Sequence, residues 1–342
     1  MNNCKNCGSV IIFSPKDKAN VCQNCSSKFE INYEPWFEKR IYDENAVNPR
    51  VNDDAISKLR HIKCISCGAN IALDEYHAQT HCPYCGNSEI VDTNNKLNLL
   101  IDSIIPFSFD KTHALEIVKK KIKSSFFSDK STLRVLSEKS IDGVYINSYV
   151  FDIKSNSNYK GILRDTRIRR DKNGRSYTEI VNIPVSGNIN CNLENAAMEA
   201  NSNIKQFEIN QILPYEHQES VKYSTDFMNG YILEYPDQSL ENIYRNVRNV
   251  LDTKIRNKIV NKHLAKSIVT MDLDTKITDA KYNYSLLPVY FIHLENKKKK
   301  FRLVMNGQTG KINSIPKNGW KIFGLIASIF IIISIIVAIL LN

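Results

Sequence analysis

Residues 4–26 read CKNCGSVIIFSPKDKANVCQNCS, and residues 64–86 read CISCGANIALDEYHAQTHCPYCG. Each stretch carries the spacing C-x2-C-x14-C-x2-C, at Cys4, Cys7, Cys22 and Cys25 and again at Cys64, Cys67, Cys82 and Cys85. Two residues between cysteines let one tight turn aim both sulfurs at a single tetrahedral ion, with Zn–S about 2.3 Å. The intervening residues then form a short hairpin that brings the second pair round. Gly8, Gly68 and Gly86 each follow a pair, where the knuckle needs a left-handed residue. Ser26 stands at the fourth such position, so that knuckle is expected to be looser.

A segment this short cannot bury enough apolar surface to fold alone. Metal binding, worth about 10 kcal/mol or more, would supply its folding free energy. Two disulfides per quartet are the rival reading. No N-terminal signal peptide is visible, and the flanking charge argued below keeps this end in the cytosol, where thiols stay reduced. The expectation is therefore two zinc ions, each closed by four thiolates with no position open for a substrate. His77 and His81, four apart inside the second quartet, offer substitute ligands but read better as solvent-facing. Cys191, the odd cysteine, reads as an inert, half-buried thiol.

The 342 residues suit two or three compact units, and their composition is that of an ordinary folded chain. The formal charge is +10. Two ions bound by four thiolates each contribute −2 apiece, which lowers it to about +6.

Residues 322–341 contain no charged side chain, and all but Gly324, Ala327, Ser328, Ser334 and Ala338 are Ile, Leu, Val or Phe. About twenty residues of helix rise ~30 Å, the thickness of the hydrocarbon core. The expectation is a C-terminal tail anchor, with Trp320 at the interface. Lys311, Lys317, Lys321 and, further back, Lys297–Lys300 precede the span and nothing basic follows it, which puts residues 1 to about 320 in the cytosol. The five small residues share one stripe of the helix, a face on which transmembrane helices pack closely.

Between the ribbons, residues 34–60 read as a linker with a short helix at Asp53–Arg60, and Asn-rich residues 92–98 as a second linker. Residues 94–315 alternate helix and strand. Asp110 can cap a helix ending at Lys119–Lys121. Leu240, Ile243, Val247, Val250, Leu251 and Ile255 mark another helix, begun near Asp237 or Ser239. Strands are expected at Gly143–Ile153 and Tyr159–Arg170 after the first helix, and at Ser285–Leu294 and Lys300–Asn306 after the second. The fold class is thus α+β, mainly antiparallel, with two halves that read as a duplicated helix-plus-hairpin unit.

Two hairpin tips are basic. Arg164, Arg167, Arg169 and Arg170 approach an Asn173-Gly174 turn of type I′, with Arg175 on the return strand, and Lys297, Lys298, Lys299 and Lys300 form the other tip. Nucleic acid, an anionic lipid surface and plain solvation all stay open for them. No nucleotide-binding, hydrolase or metalloprotease motif occurs; Gly307–Ile312 lacks the spacing of a phosphate loop. His113, His217 and His293 have no nucleophile or carboxylate at a diagnostic spacing. The sequence offers no support for an enzyme.

Cys-Lys-Asn-Cys-Gly, Cys-Pro-Tyr-Cys-Gly, Leu-Leu-Pro-Val-Tyr and Met-Asn-Gly-Gln-Thr-Gly-Lys (305–311) occur in that order before the hydrophobic segment. Over nearly the whole chain this resembles the bacterial membrane proteins described as transcription factor IIB-type zinc ribbon-containing proteins. Ser148 and Val150 stand where those relatives tend to have Pro and Trp. The resemblance implies a membrane-anchored docking scaffold with a place in membrane-stress response. The expected function is therefore a single-pass, tail-anchored adaptor whose cytosolic ribbons recruit protein partners, a homo-oligomer remaining open. The alternative is a membrane-tethered nucleic-acid-binding protein.

Overall fold

The computed structural model describes residues 3–43, 59–73, 81–93, 100–296 and 299–341. The expected helix at Asp53–Arg60 falls almost wholly outside them, as do His77, Lys297 and Lys298.

The fold is built on two 30-residue strands, β9 (Ile141–Arg170) and β13 (Ser267–Asn296), paired antiparallel from Ile141 opposite Ile292 to Arg164 opposite Ser267. They belong to an 11-stranded sheet. Ile141–Phe151 are buried at every position, which requires both faces of the sheet to be covered. One face meets α1 (Lys111–Ser124) and α3 (Leu240–Lys262); the other meets α2 (Gln206–Ile212) and the second cysteine quartet. Beyond Phe151 burial alternates, so only one face of that half is covered.

The helices form where their caps direct them. Asp110 accepts from His113 N at 2.8 Å and Ser239 from Asn242 N at 3.3 Å. α3 buries Leu240, Ile243, Tyr244, Val247, Leu251, Ile255 and Ile259; Val250 is exposed. Each long helix precedes a hairpin as expected, but β9 is one strand where two are expected. Its partner β10 (Ser176–Glu199) is polar on its outer face. The second hairpin closes through β14 (Lys299–Asn306).

The first quartet frames a separate three-stranded sheet of β1 (Ile11–Ser14), β2 (Ala19–Cys22) and β3 (Lys28–Glu30). It sits on the body through Phe13, whose N–H donates to Asn229 O at 2.9 Å and whose ring packs edge-on against Phe227 at 5.4 Å. The second quartet lies within the large sheet. β5 (Arg60–Cys64) pairs with β6 (Asn70–Leu73) and β7 (Ile90–Thr93), and β6 pairs through β12 (Ile232–Glu234) to β9. Residues 34–43 are laid along the body: β4 (Arg40–Ile41) pairs with β13, and Tyr42 stacks on Tyr244 at 3.8 Å. β8 (Ser103–Ile104) joins β13 to β11 (Val221–Lys222).

The Asp171–Arg175 turn differs from the expected type I′. Gly174 N donates to Asp171 O, Asp171 N to Arg175 O, and only Gly174 is left-handed at φ 77°. That is a type I turn followed by a bulge. Asp171 Oδ1 favours it by accepting from both Asn173 N and Arg175 N at 2.8 Å.

Among the described residues no helix is long and apolar enough to cross a membrane, so the expected span is not a finding of the fold. The finding is narrower. Gly319–Leu341 is one 23-residue helix, α4, several of whose side chains are not among those described. Phe323, Ile326, Ile329 to Ile333, Ile336 and Val337 on it are all exposed.

β9 and β13 leave no room for a side chain at Gly161, where a Cβ would stand 2.2 Å from Thr270 O beside a register shift in β13. Gly161→Ala must displace backbone and is expected to lower stability by about 2 kcal/mol or more. Thermal unfolding of the two proteins, with an unchanged melting temperature as the contrary outcome, checks this.

Candidate metal centres

All four knuckles share one backbone geometry. The N–H groups of Gly8, Ser26, Gly68 and Gly86 donate to the carbonyls of Cys4, Cys22, Cys64 and Cys82 at 2.8, 3.1, 2.9 and 2.8 Å. Each first cysteine in turn donates its N–H to a carbonyl five residues on. The closing residues are all left-handed, with φ 71°, 58°, 78° and 72°. Ser26 therefore closes its knuckle as the glycines do, and the looser turn expected there is absent. Its left-handed backbone carries the strain of a side chain.

The turns bring each quartet together. Cys4 and Cys25 sulfurs are 3.5 Å apart and Cys7 and Cys22 3.4 Å; Cys64 and Cys85 are at 3.6 Å and Cys67 and Cys82 at 3.7 Å. All four sulfurs of a quartet lie within 4.8 Å of one another. Bonds of about 2.3 Å to a central ion give a tetrahedral edge of about 3.8 Å, so the sulfur cages fit zinc. Backbone N–H groups of Asn24 and Cys25 point at Cys22 Sγ at 3.4 and 3.5 Å, as donors to a metal-bound thiolate do. His81 is not among the ligands.

Electrostatics favours the same occupant. Burial pushes the Cys4 and Cys67 thiols up to about 11 and Cys82 further still. Hydrogen bonding from Ser27 holds Cys25 down to about 6. Cys22 and Cys64 are also shifted down, so each quartet mixes raised and lowered thiols, and four adjacent thiolates repel one another until a divalent cation compensates them. Four thiolates saturate a tetrahedral ion, so an ion held in either cage would have no position open for a substrate.

The two centres differ in their surroundings. In the first, Cys7 and Cys25 are exposed. The second is clamped by the β13–β14 hairpin: His293 Nε2 lies 2.8 Å from Pro83 O, and Arg302 Nη1 donates to Tyr84 O at 2.9 Å while ion-pairing with Glu208. His81 Nε2 lies 2.8 Å from Asp142 Oδ2. Tyr84 packs on Phe291 at 5.2 Å and donates to Glu234 Oε1 at 2.5 Å. Glu234 Oε2 and its backbone O accept from Asn147 N and Nδ2 at 3.0 and 2.5 Å. Glu199, also fully buried, lies beside Glu234 and accepts from Ala200 N at 3.0 Å. Burial holds Glu199 well above the usual carboxylate range and Glu234 up to about 7.

Sequence reasoning missed Tyr84, Glu199, Glu234, His293 and Arg302 as parts of this centre. One signal was available: Glu234 is a lone charge in the run Tyr-Ile-Leu-Glu-Tyr (231–235). The remaining expected site residues lie apart from it. Arg164 and Arg170 share a strand face with Ile162 and Ile168, while Arg167 and Arg169 point to the other, where Arg169 pairs with Glu179 at 2.6 Å. The arginines thus form no single surface. Lys300 lines a depression with His81, His293 and Arg302 beside the second centre. Cys191 is buried and free, more enclosed than expected. The 305–311 turn is structural: Asn306 Oδ1 accepts from Gln308 N and Thr309 N at 2.8 and 3.0 Å, and Gln308 Nε2 reaches Glu219 at 2.7 Å.

Elemental analysis of the purified chain is expected to find two zinc ions, with Cys22→Ser and Cys82→Ser each retaining one; equal zinc in wild type and variants contradicts the cages. The glutamates set a pH dependence. Their folded values lie above the ordinary 4.5, so the stability they confer is complete below that pH and is lost as pH rises from there, through about 7 for Glu234. Urea unfolding between about pH 4.5 and 7 should show stability falling by up to ~1.4 kcal/mol per unit for each titrating group. Glu199→Gln should flatten that slope, and an unchanged slope refutes the assignment.

No protein-family model matches the chain, and no solved structure matches it. A Bacillus subtilis protein described as "Uncharacterized protein YdjG" is 24% identical over an alignment covering 74% of this chain and 89% of that one.

Proposed function

We propose that this chain is a single-pass, tail-anchored membrane adaptor whose first zinc ribbon recruits a protein partner to the cytosolic face. The observation that carries the reading is α4, on which Phe323, Ile326, Ile329 to Ile333, Ile336 and Val337 are all exposed as it leaves a folded body. Exposed isoleucine and phenylalanine at this density call for lipid or a partner helix. Lys311, Lys317 and Lys321 precede the helix, which favours a cytosolic body. A Cβ added at Gly324 would meet nothing within 4 Å. The small-residue stripe that Gly324 shares with Ala327, Ser328, Ser334 and Ala338 thus suits close approach of a second copy's helix.

The ribbons divide the work. The second is part of the large sheet, and its zinc serves the fold. The first stands apart as its own sheet, with two ligand cysteines and the β3 edge facing outward, and is the recruiting surface.

A second reading, nucleic-acid binding, draws on the β9–β10 ribbon, which runs on past the last β13 pairing at Arg164 and bears Arg167, Arg169, Arg170 and Arg175. Arg167→Ala with Arg170→Ala would then weaken DNA binding and flatten its salt dependence. The adaptor is tested by crosslinking in intact membranes followed by mass spectrometry. Deleting residues 3–31, which leaves the large sheet whole, should abolish specific crosslinks while the chain still resists alkaline extraction. Retention of every crosslink sinks the recruiting role, and extraction by carbonate sinks the anchor.

A further inference from the structure

The surface beside the base of α4 is built from α1 and the loop after it. Asn318 N donates to Phe127 O at 2.7 Å, Asp129 N donates to Pro316 O at 2.8 Å, and Ser128 bridges antiparallel to Lys317. Lys321 Nζ donates to Phe126 O at 2.9 Å and lies 5.2 Å from the centre of the Phe126 ring. Phe126 is thereby fixed level with the first turn of α4, yet it is 72% exposed. A large ring held open to solvent at that level matches the headgroup boundary, where amphipathic and aromatic groups settle.

α1 ends at the same place. It buries Ala114, Leu115, Val118 and Ile122, and by helix geometry Lys120 and Lys123 fall on the opposite side, with half-buried Lys119 on the flank between. These three, with Glu116 and Ser124, wall one shallow surface depression. Two carboxylates lie nearby: Glu116, 3.7 Å from His113 Nδ1, and Asp129, which accepts from Ser131 N at 3.1 Å. Lysines outnumber carboxylates around this rim, at the base of α4.

From these contacts we infer that the C-terminal half of α1 and the 125–129 loop form a lysine collar, tipped by Phe126, that binds anionic phospholipid headgroups around α4. The inference rests on the membrane reading above and adds to it the lipid class and the residues that meet it. The collar holds the body against the bilayer at a fixed tilt, because the loop is bonded to the helix rather than merely near it. A lysine at an anionic surface shifts the docked-to-undocked ratio by about fivefold, so three acting together make docking nearly complete.

The test uses the full-length chain reconstituted in vesicles of phosphatidylcholine alone or mixed with phosphatidylglycerol. Lysine acylation is followed residue by residue by mass spectrometry, and alkaline carbonate extraction reports on α4 independently. The collar predicts acylation of Lys119, Lys120 and Lys123 slowed by about fivefold or more in the anionic vesicles, with high salt reversing the effect. Equal rates at these lysines in both vesicles, or uniform slowing of all exposed lysines, overturns the collar while a carbonate-resistant chain leaves the anchor standing. A chain that carbonate extracts overturns both.

Discussion

Tyr84 stands between two metal-ligating cysteines, and its side chain is fully buried in the body, donating to Glu234 and packing on Phe291. The knuckle Cys82–Gly86 therefore has two tasks that cannot be separated. Its backbone must close around the ion, and its central side chain must fill the core between β12 and β13. Free thiols at 3.6–3.7 Å do not hold such a turn closed by themselves; a divalent cation does, and by closing the turn it sets Tyr84 in place. A metal ion held there would act as a keystone of the large sheet.

That coupling explains the pattern of polar groups around it. Arg302 and His293 take the carbonyls of Tyr84 and Pro83, so the knuckle's backbone is bonded from outside as well as within. Burying Glu199 beside Glu234 is costly when either is ionised, and the fold accepts it by keeping a proton on the pair near neutral pH. The first centre has none of this apparatus. It touches the body chiefly through Phe13 and Ile12 and leaves ligand cysteines at the surface. One centre is invested in the fold and the other is presented by it.

Much of this was legible from local chemistry. Cysteine spacing, the residue after each pair, and the caps Asp110 and Ser239 all act over a few positions, and each stands where the sequence put it. What escaped was long-range. β12 is three residues long, too short for any periodicity, yet it joins the second ribbon to β9. β10 carries asparagines outward, with Asn156 bonded to Asn188 and Asn190 across the strands, and polar ladders leave no apolar signature. The arginines of β9 are close in sequence, but a period of two sends them to opposite faces. Lys119–Lys121 read as a helix end, and only the fold carries the helix on to Ser124 and brings that end to the base of α4.

The keystone claim is decided by hydrogen exchange on the full-length chain before and after chelation of zinc. If the second centre holds the sheet, removing metal speeds exchange in β12, in residues 141–147 of β9 and in the β13–β14 hairpin, as well as in the cysteine loops. Exchange that rises only within residues 3–31 and 60–93, with the long strands unchanged, would contradict the account.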